Sequence, residues 1–160
     1  MLENPPARRR SRIDSSAAIS VVDLFTIGIG PSSSHTVGPM RAARMFMDSL
    51  PDKPARVQCD LYGSLALTGK GHATDAAILL GLSGYRPEDV DPDAIPAILA
   101  TIRSEHRVRF GSTLGGWVSF VEELDLLFHM GEFLEAHSNG MRFTAWFEGQ
   151  DTPVTREYYS

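Results

Sequence analysis

Between two apolar stretches the chain carries GIGPSSSHTVGP at positions 28–39: three glycines, two prolines, three serines, a threonine and a histidine. Backbone N–H groups and short hydroxyls in a glycine-rich turn suit the carboxylate or phosphate of a small ligand, because the donors are fixed and lose almost no side-chain entropy on binding. The histidine, His35, is the only side chain in that turn that titrates near neutral pH. Two more segments pair a histidine with small or amide residues where a loop meets a regular element. One is GKGHATD at 69–75, with Lys70 and His72. The other is HSNGMRF at 137–143, with His137, Asn139 and Arg142.

Simple motif readings of these segments fail. Gly69-Lys70-Gly71-His72 lacks both the glycine spacing and the hydroxyl residue after lysine that a phosphate-binding P-loop requires. His35, His72 and His137 are not at zinc-ligand spacing, and no acidic partner is placed to complete a local zinc site. Plain structural tasks also account for part of the text: the serines as caps and turns, His35 as a loop brace, Lys70 as a solvated turn residue. His72 and Asp75 are placed to meet on one helical turn, where a carboxylate would fix the imidazole tautomer.

The elements that position these residues follow from periodicity. Residues 1–16 read as a disordered leader holding the only basic cluster, Arg8, Arg9, Arg10 and Arg12. A short helix is predicted over 17–25. A second helix starts with Thr36 at the N-cap, has Pro39 in its first turn and Met40, Ala43, Met47 and Leu50 along one face, and closes at Leu50-Pro51. Alternation over 56–61 predicts a strand with Val57, Cys59 and Leu61 on one side. Helices follow at 76–82, ending in glycines, and from Ala94 to about Arg107 with a stripe of Ile95, Ile98, Leu99 and Ile102, capped by Asp91 or Asp93. Strands are predicted at 117–120, 124–130, 141–147 and 153–159, the last two as an antiparallel hairpin around Glu148-Gly149-Gln150-Asp151. Met45, Met47 and the late aromatics read as core.

Helices around one early strand, then a run of strands without intervening helices, predict an α+β single domain: a mixed sheet with helices mainly on one face. With 160 residues, 42% of them hydrophobic, one core is the expected number. A net charge of −5 and a pI near 5.5 repel polyanions, so nucleic acid is not an expected partner. No apolar run reaches membrane-spanning length and no secretory signal opens the chain, which predicts no membrane association and a soluble, cytoplasmic protein. A single cysteine, Cys59, rules out an intrachain disulfide and a thiolate-bound cluster built from this chain alone.

Together the segments SVVDLFTIGIGPSSSHTVGPMRAA at 20–43, LYGSLALTGKGHATDAAILLGLSGY at 61–85, HSNGMRF at 137–143 and EYYS at 157–160 resemble the beta domain of bacterial iron-sulfur L-serine dehydratases, also called L-serine ammonia-lyases. The resemblance covers nearly everything after residue 18. It implies conversion of L-serine to pyruvate and ammonia without pyridoxal phosphate: loss of the α-proton and β-hydroxyl gives aminoacrylate, which hydrolyses through its imine. It also implies a 4Fe-4S cluster held by the cysteines of an alpha part, fused or separate, that acts as Lewis acid on the β-hydroxyl. The family's text runs on past Tyr-Tyr-Ser, so the chain reads as the N-terminal fragment of a longer enzyme, inactive alone and implied to be homodimeric in its full form. On this footing His35 is the candidate catalytic residue. Ser32, Ser33, Ser34, Thr36, Lys70, His72, His137 and Asn139 are candidates for binding serine. Metal ligands are expected to come from the alpha part. The fold is also similar to a regulatory domain of some D-3-phosphoglycerate dehydrogenases, which makes a serine-binding regulatory module the competing expectation.

Overall fold

The computed structural model describes residues 32–69, 73–111 and 115–160. The leader at 1–16, the predicted helix at 17–25, Lys70 and His72 lie outside them. A one-turn π-helix, Ser33–Val37, runs directly into helix α1, Gly38–Asp48. Strand β1 follows at Arg56–Tyr62, then α2 at Ser64–Thr68 and α3 at Thr74–Leu82. A 3-10 turn at Pro92–Ala94 leads into α4, Ile95–Glu105. The remainder is β2 (Arg107–Arg109), β3 (Trp117–Ser119), a helical turn α5 (Glu122–Asp125), β4 (Leu126–His129), β5 (Gly140–Trp146) and β6 (Val154–Tyr159).

The six strands form one mixed sheet in the order β2-β3-β1-β5-β6, with β4 also paired to β1. β1 lies antiparallel to β5 and parallel to both β3 and β4, which lie end to end along its other edge. β5 and β6 form the antiparallel hairpin that the turn residues predicted. The two-residue period of a strand then divides the sheet. Val57, Cys59 and Leu61 of β1 lie opposite Ala145, Phe143 and Met141 of β5, and all six are fully buried. α1 and α3 cover this face: Met40, Ala43, Phe46 and Met47 of α1 join the core, and Phe46 stacks on Phe143 with ring centroids 5.2 Å apart. α3 is apolar on nearly every side and is buried accordingly, the expected place for a helix without a polar face. The opposite sheet face is polar. Gln58 Nε2 donates to Asp60 Oδ2 (2.9 Å), Asp60 Oδ1 pairs with His129 Nε2 (2.7 Å), and Arg142 pairs with Glu157 (2.7 Å). The α+β class and the helices gathered on one face are as predicted.

Several local expectations differ from the structure. The helix after the serines is not capped by Thr36; the turn begins at Ser33, and Thr36 lies inside it, fully buried. A short helix at Ser64–Thr68 occupies text in which no regular element was predicted. α4 stops at Glu105 because His106 takes a left-handed conformation (φ +49°), and Arg107, assigned from its periodicity to the helix, opens β2. The strand predicted from Leu124 begins at Leu126: the carboxylate of buried Asp125 accepts from Val121 N (2.7 Å) and folds 122–125 into a turn, leaving Leu124 exposed. Met45 is 59% exposed, and of the late aromatics Phe133 (64%), Trp117 (41%) and Tyr159 (40%) are exposed too, so none of these belongs to the core, whereas Met47, Phe120 and Phe143 do. Asp75, expected beside His72, pairs with Arg103 (3.2 Å), which also binds Glu122 (2.6 Å).

Candidate functional site

The serine-rich turn is shaped by what Pro39 lacks. In a regular helix each carbonyl is satisfied by an N–H about one turn further on, and proline has none to give. The carbonyls of Ser34 and His35, five and four residues before it, both accept from side chains elsewhere in the chain. Ser160 Oγ donates to Ser34 O (2.6 Å), and Thr74 Oγ1, at the first residue of α3, donates to His35 O. Thr36 N donates to Ser32 O (2.9 Å), and the Thr36 hydroxyl donates to the same carbonyl, which closes the turn. Gly38 N–H donates to Ser33 O, which defines the wide π-type turn. Gly38 has an ordinary helical φ; glycine is needed there for space, because a Cβ would run into Ser160 Oγ.

Held in this way, the imidazole of His35 lies between hydroxyls from two segments. Nδ1 is 2.9 Å from Ser34 Oγ and 3.3 Å from Ser32 Oγ, and those two hydroxyls are 3.2 Å apart. Nε2 is 2.9 Å from Ser64 Oγ. A hydroxyl can donate or accept, so either neutral tautomer of the ring is satisfied without moving a heavy atom. That is the arrangement a proton carrier needs.

Ser64 is placed by the end of β1. Gly63 turns the chain with φ +59° and ψ −131°, a conformation that glycine alone adopts cheaply. Its N–H donates to Glu132 O (2.8 Å), and Ser64 N donates to Ser138 O (3.1 Å). The third histidine-bearing segment is thereby laced, at Ser138, to the residue that holds His35, while Thr74 of the second segment meets His35 O. The third segment is laced to the first as well: Ser160 N donates to Asn139 O (3.1 Å), and Ser160 Oγ reaches Ser34 O.

The described candidates are therefore not equivalent. Ser32, Ser34, His35 and Thr36 form one cluster with Ser64, Thr74 and Ser160. Ser33 and His137 are exposed, and His137 Nδ1 accepts from Asn139 N (3.0 Å). Asn139 Oδ1 is buried with no hydrogen-bond partner among the described residues. An orphaned buried acceptor is costly, and it suits a ligand that brings a donor such as an ammonium group. Arg142 lies on the polar sheet face: it donates to Glu157 and to Tyr62 Oη (3.2 Å), and the Glu157 hydrogen bond raises its pKa.

Residues 20–160 match the family model described as serine dehydratase beta chain. The chain belongs to the serine dehydratase beta chain family. It is 48% identical over 147 residues to L-serine dehydratase TdcG of Escherichia coli, 47% over 149 residues to an L-serine dehydratase of Streptomyces coelicolor, and 42% over 149 residues to one of Haemophilus influenzae. Each alignment takes in 89% of this chain and 32% of the relative, so the chain spans about a third of the length of these proteins.

For a member of this family the fit to an iron-sulfur cluster can be tested on the side chains present. Such a cluster is held by several cysteine thiolates, and this chain has one cysteine. Cys59 is fully buried in the core, and burial, followed by the negative charge of Asp60, raises its pKa well above that of an ordinary thiol. Among the described residues no group of three or more His, Cys, Asp or Glu side chains is placed to hold a metal. These residues therefore do not fit as cluster ligands. Among the described residues, too, no helix is long and apolar enough to cross a membrane.

Three contributors to the His35 cluster were not singled out from the sequence: Ser64, Thr74 in its role on His35 O, and Ser160. The glycine-serine pair ending the β1 pattern is the one local signal that could have drawn attention to Ser64. For Ser160, whose partner lies 126 positions away, there is no local pattern, and only the EYYS segment of the family resemblance contains it.

Proposed function

We propose that this chain forms one wall of the active centre of a cytoplasmic L-serine dehydratase, which converts L-serine to pyruvate and ammonia, and that an alpha part supplies the 4Fe-4S cluster. The observation that carries this reading is the clamping of His35 between Ser34 and Ser64, with Thr74 on the His35 carbonyl and Ser160 bridging Ser34 to Asn139. In this reading His35 accepts or returns a proton at one ring nitrogen while a serine hydroxyl rotates to keep the other satisfied. The hydroxyls of Ser32, Ser33 and Ser34 take the substrate carboxylate, Lys70 adds positive charge, and Asn139 Oδ1 receives the ammonium. His72 and His137 border the substrate. Thr36 contributes through the backbone it holds. Membership of the serine dehydratase beta chain family and the names of the relatives support the substrate.

The test is His35→Asn in the enzyme assembled with its alpha part. Turnover is expected to fall by about 10²- to 10⁴-fold, the usual range for loss of a general acid or base, with cluster absorbance unchanged. Near-normal turnover would remove the catalytic assignment. Calorimetry of L-serine against the 160-residue chain alone separates this reading from a regulatory module: an active-centre wall binds serine feebly without its partner, whereas an effector site binds it tightly.

A further inference from the structure

A second concave site lies at the other end of α3. α3 begins at Thr74, which holds His35, and its nine residues at about 1.5 Å each carry the chain roughly 13 Å away to Ser83. Here a cavity of about 590 Å³ is lined by Ser83, Tyr85, Ile98, Ile102, Arg109 and Trp117, among others. That volume falls in the range of about 300–1,000 Å³ usual for small-molecule sites.

Three features of the lining are left incomplete by the fold. Ile98 belongs to the apolar stripe of α4, yet while Ile95, Leu99 and Ile102 are buried it stays only half-covered and faces the cavity. Ser83 is nine-tenths buried, and its Oγ has no hydrogen-bond partner among the described residues. Arg109 is half-buried, with its guanidinium 4.9 Å from the Trp117 ring centroid, and it meets no carboxylate among the described residues. Arg41, Arg44, Arg56, Arg103, Arg107 and Arg142 each have one, and the other two described arginines without one, Arg86 and Arg156, are exposed to solvent, so Arg109 alone is both half-buried and without a carboxylate there. Arg107, on the same tryptophan, is neutralised by Glu105 (2.7 Å). An unpaired cation and an unpartnered hydroxyl in an apolar, aromatic-walled recess call for an anion with an apolar body. A guanidinium offers a planar fork of donors that suits a carboxylate.

We propose that the recess between the end of α3, α4 and the β2–β3 pair binds a small carboxylate with an aromatic or branched apolar body, Arg109 and Ser83 taking the carboxylate and Ile98, Ile102, Tyr85 and Trp117 the body. This site is separate from the His35 cluster and does not depend on the dehydratase reading.

The 160-residue chain, labelled with ¹⁵N, is titrated with 3-phenylpropionate and, separately, with the uncharged 3-phenyl-1-propanol. Saturable shifts are expected at the Trp117 indole N–H, Gly84 and Ile102, with the carboxylate binding about tenfold tighter than the alcohol, as a charge-assisted pair implies. Arg109→Gln should bring the carboxylate down to the affinity of the alcohol and leave the alcohol unchanged. Thr101→Trp, at an exposed position on the rim, should block both probes while the thermal midpoint stays within a few degrees, which guards against a folding artefact. Equal affinity of the two probes, shifts that spread away from the recess or do not saturate at millimolar concentration, or undiminished binding to the Thr101→Trp chain would each overturn the proposal.

Discussion

Replacing Gly63 with alanine attacks the joint on which the His35 cluster depends, by two routes that can be separated. Gly63 has φ +59° and ψ −131°, and a Cβ there would run into Ser138 O, with Phe133 Cδ1 at 3.1 Å. Backbone strain of this kind costs about 1–3 kcal/mol. Overpacking against backbone that cannot swing aside adds about 1–3 kcal/mol. The sum is roughly 2–6 kcal/mol. At about 0.34 kcal/mol per degree for a chain of this length, the midpoint should fall by ~6–18 °C. Gly149 provides the control: it also has positive φ (+73°), but nothing lies within 4 Å of its virtual Cβ. Gly149→Ala should therefore cost only the left-handed backbone term, about 1–2 kcal/mol or ~3–6 °C. Both variants are compared by calorimetric melting and by hydrogen exchange at the amides of Gly63 and Ser64, which donate to Glu132 and Ser138. The Gly63 variant should lose protection at both. If its midpoint falls no further than that of Gly149→Ala, the close approach to Ser138 is not a real constraint and the joint described here is wrong.

Three other outcomes follow from the same contacts. Ser64→Ala removes the hydroxyl on His35 Nε2; losing one hydrogen bond of about 0.5–1.5 kcal/mol should lower kcat of the assembled enzyme by about 2- to 13-fold with little change in KM. Ser64→Thr should restore it, and unchanged kcat in Ser64→Ala would deny Ser64 a positioning role. Cys59, buried and held protonated, should react with Ellman's reagent at pH 8 at least about a thousandfold more slowly in the native chain than in the urea-unfolded one, because the thiolate forms only on opening. Comparable rates would contradict its place in the core. The hydrogen bond from Arg142 lowers the pKa of Glu157, so the pair stabilises the fold above the ordinary carboxylate pKa and loses that contribution as pH falls through the depressed value. Glu157→Gln should flatten the acid limb of the stability curve slightly, since both side chains are more than a third exposed; parallel limbs for variant and parent would refute the coupling.

Much of the fold was legible because periodicity reports burial directly. The alternation of Val57, Cys59 and Leu61 and the stripe of Ile95, Leu99 and Ile102 are core positions in the structure. The failures lie where a single distant contact overrides local pattern. Leu124 reads as strand until Asp125 folds back on Val121 N, with Arg56 of β1 donating to its carboxylate (2.7 Å). Arg107 reads as helix until His106 turns left-handed and the chain pairs with β3. Met45 reads as core because apolar type is all that a sequence displays, whereas the face it occupies on α1 points to solvent.

The candidate site divides along the same line. Residue types and local spacing alone, a proline after a run of small hydroxyls with one histidine among them, determined that the 28–39 segment is chemically equipped, and the resemblance carried by it together with the segments at 61–85, 137–143 and 157–160 placed the chain with the serine dehydratases. Only the tertiary structure decided which hydroxyls serve His35. Ser64 lies 29 positions away, Thr74 39 from His35, and Ser160 126 from Ser34. A hydrogen bond depends on separation in space, and separation along the chain says nothing about it until β1, α3 and β6 have been packed against the turn.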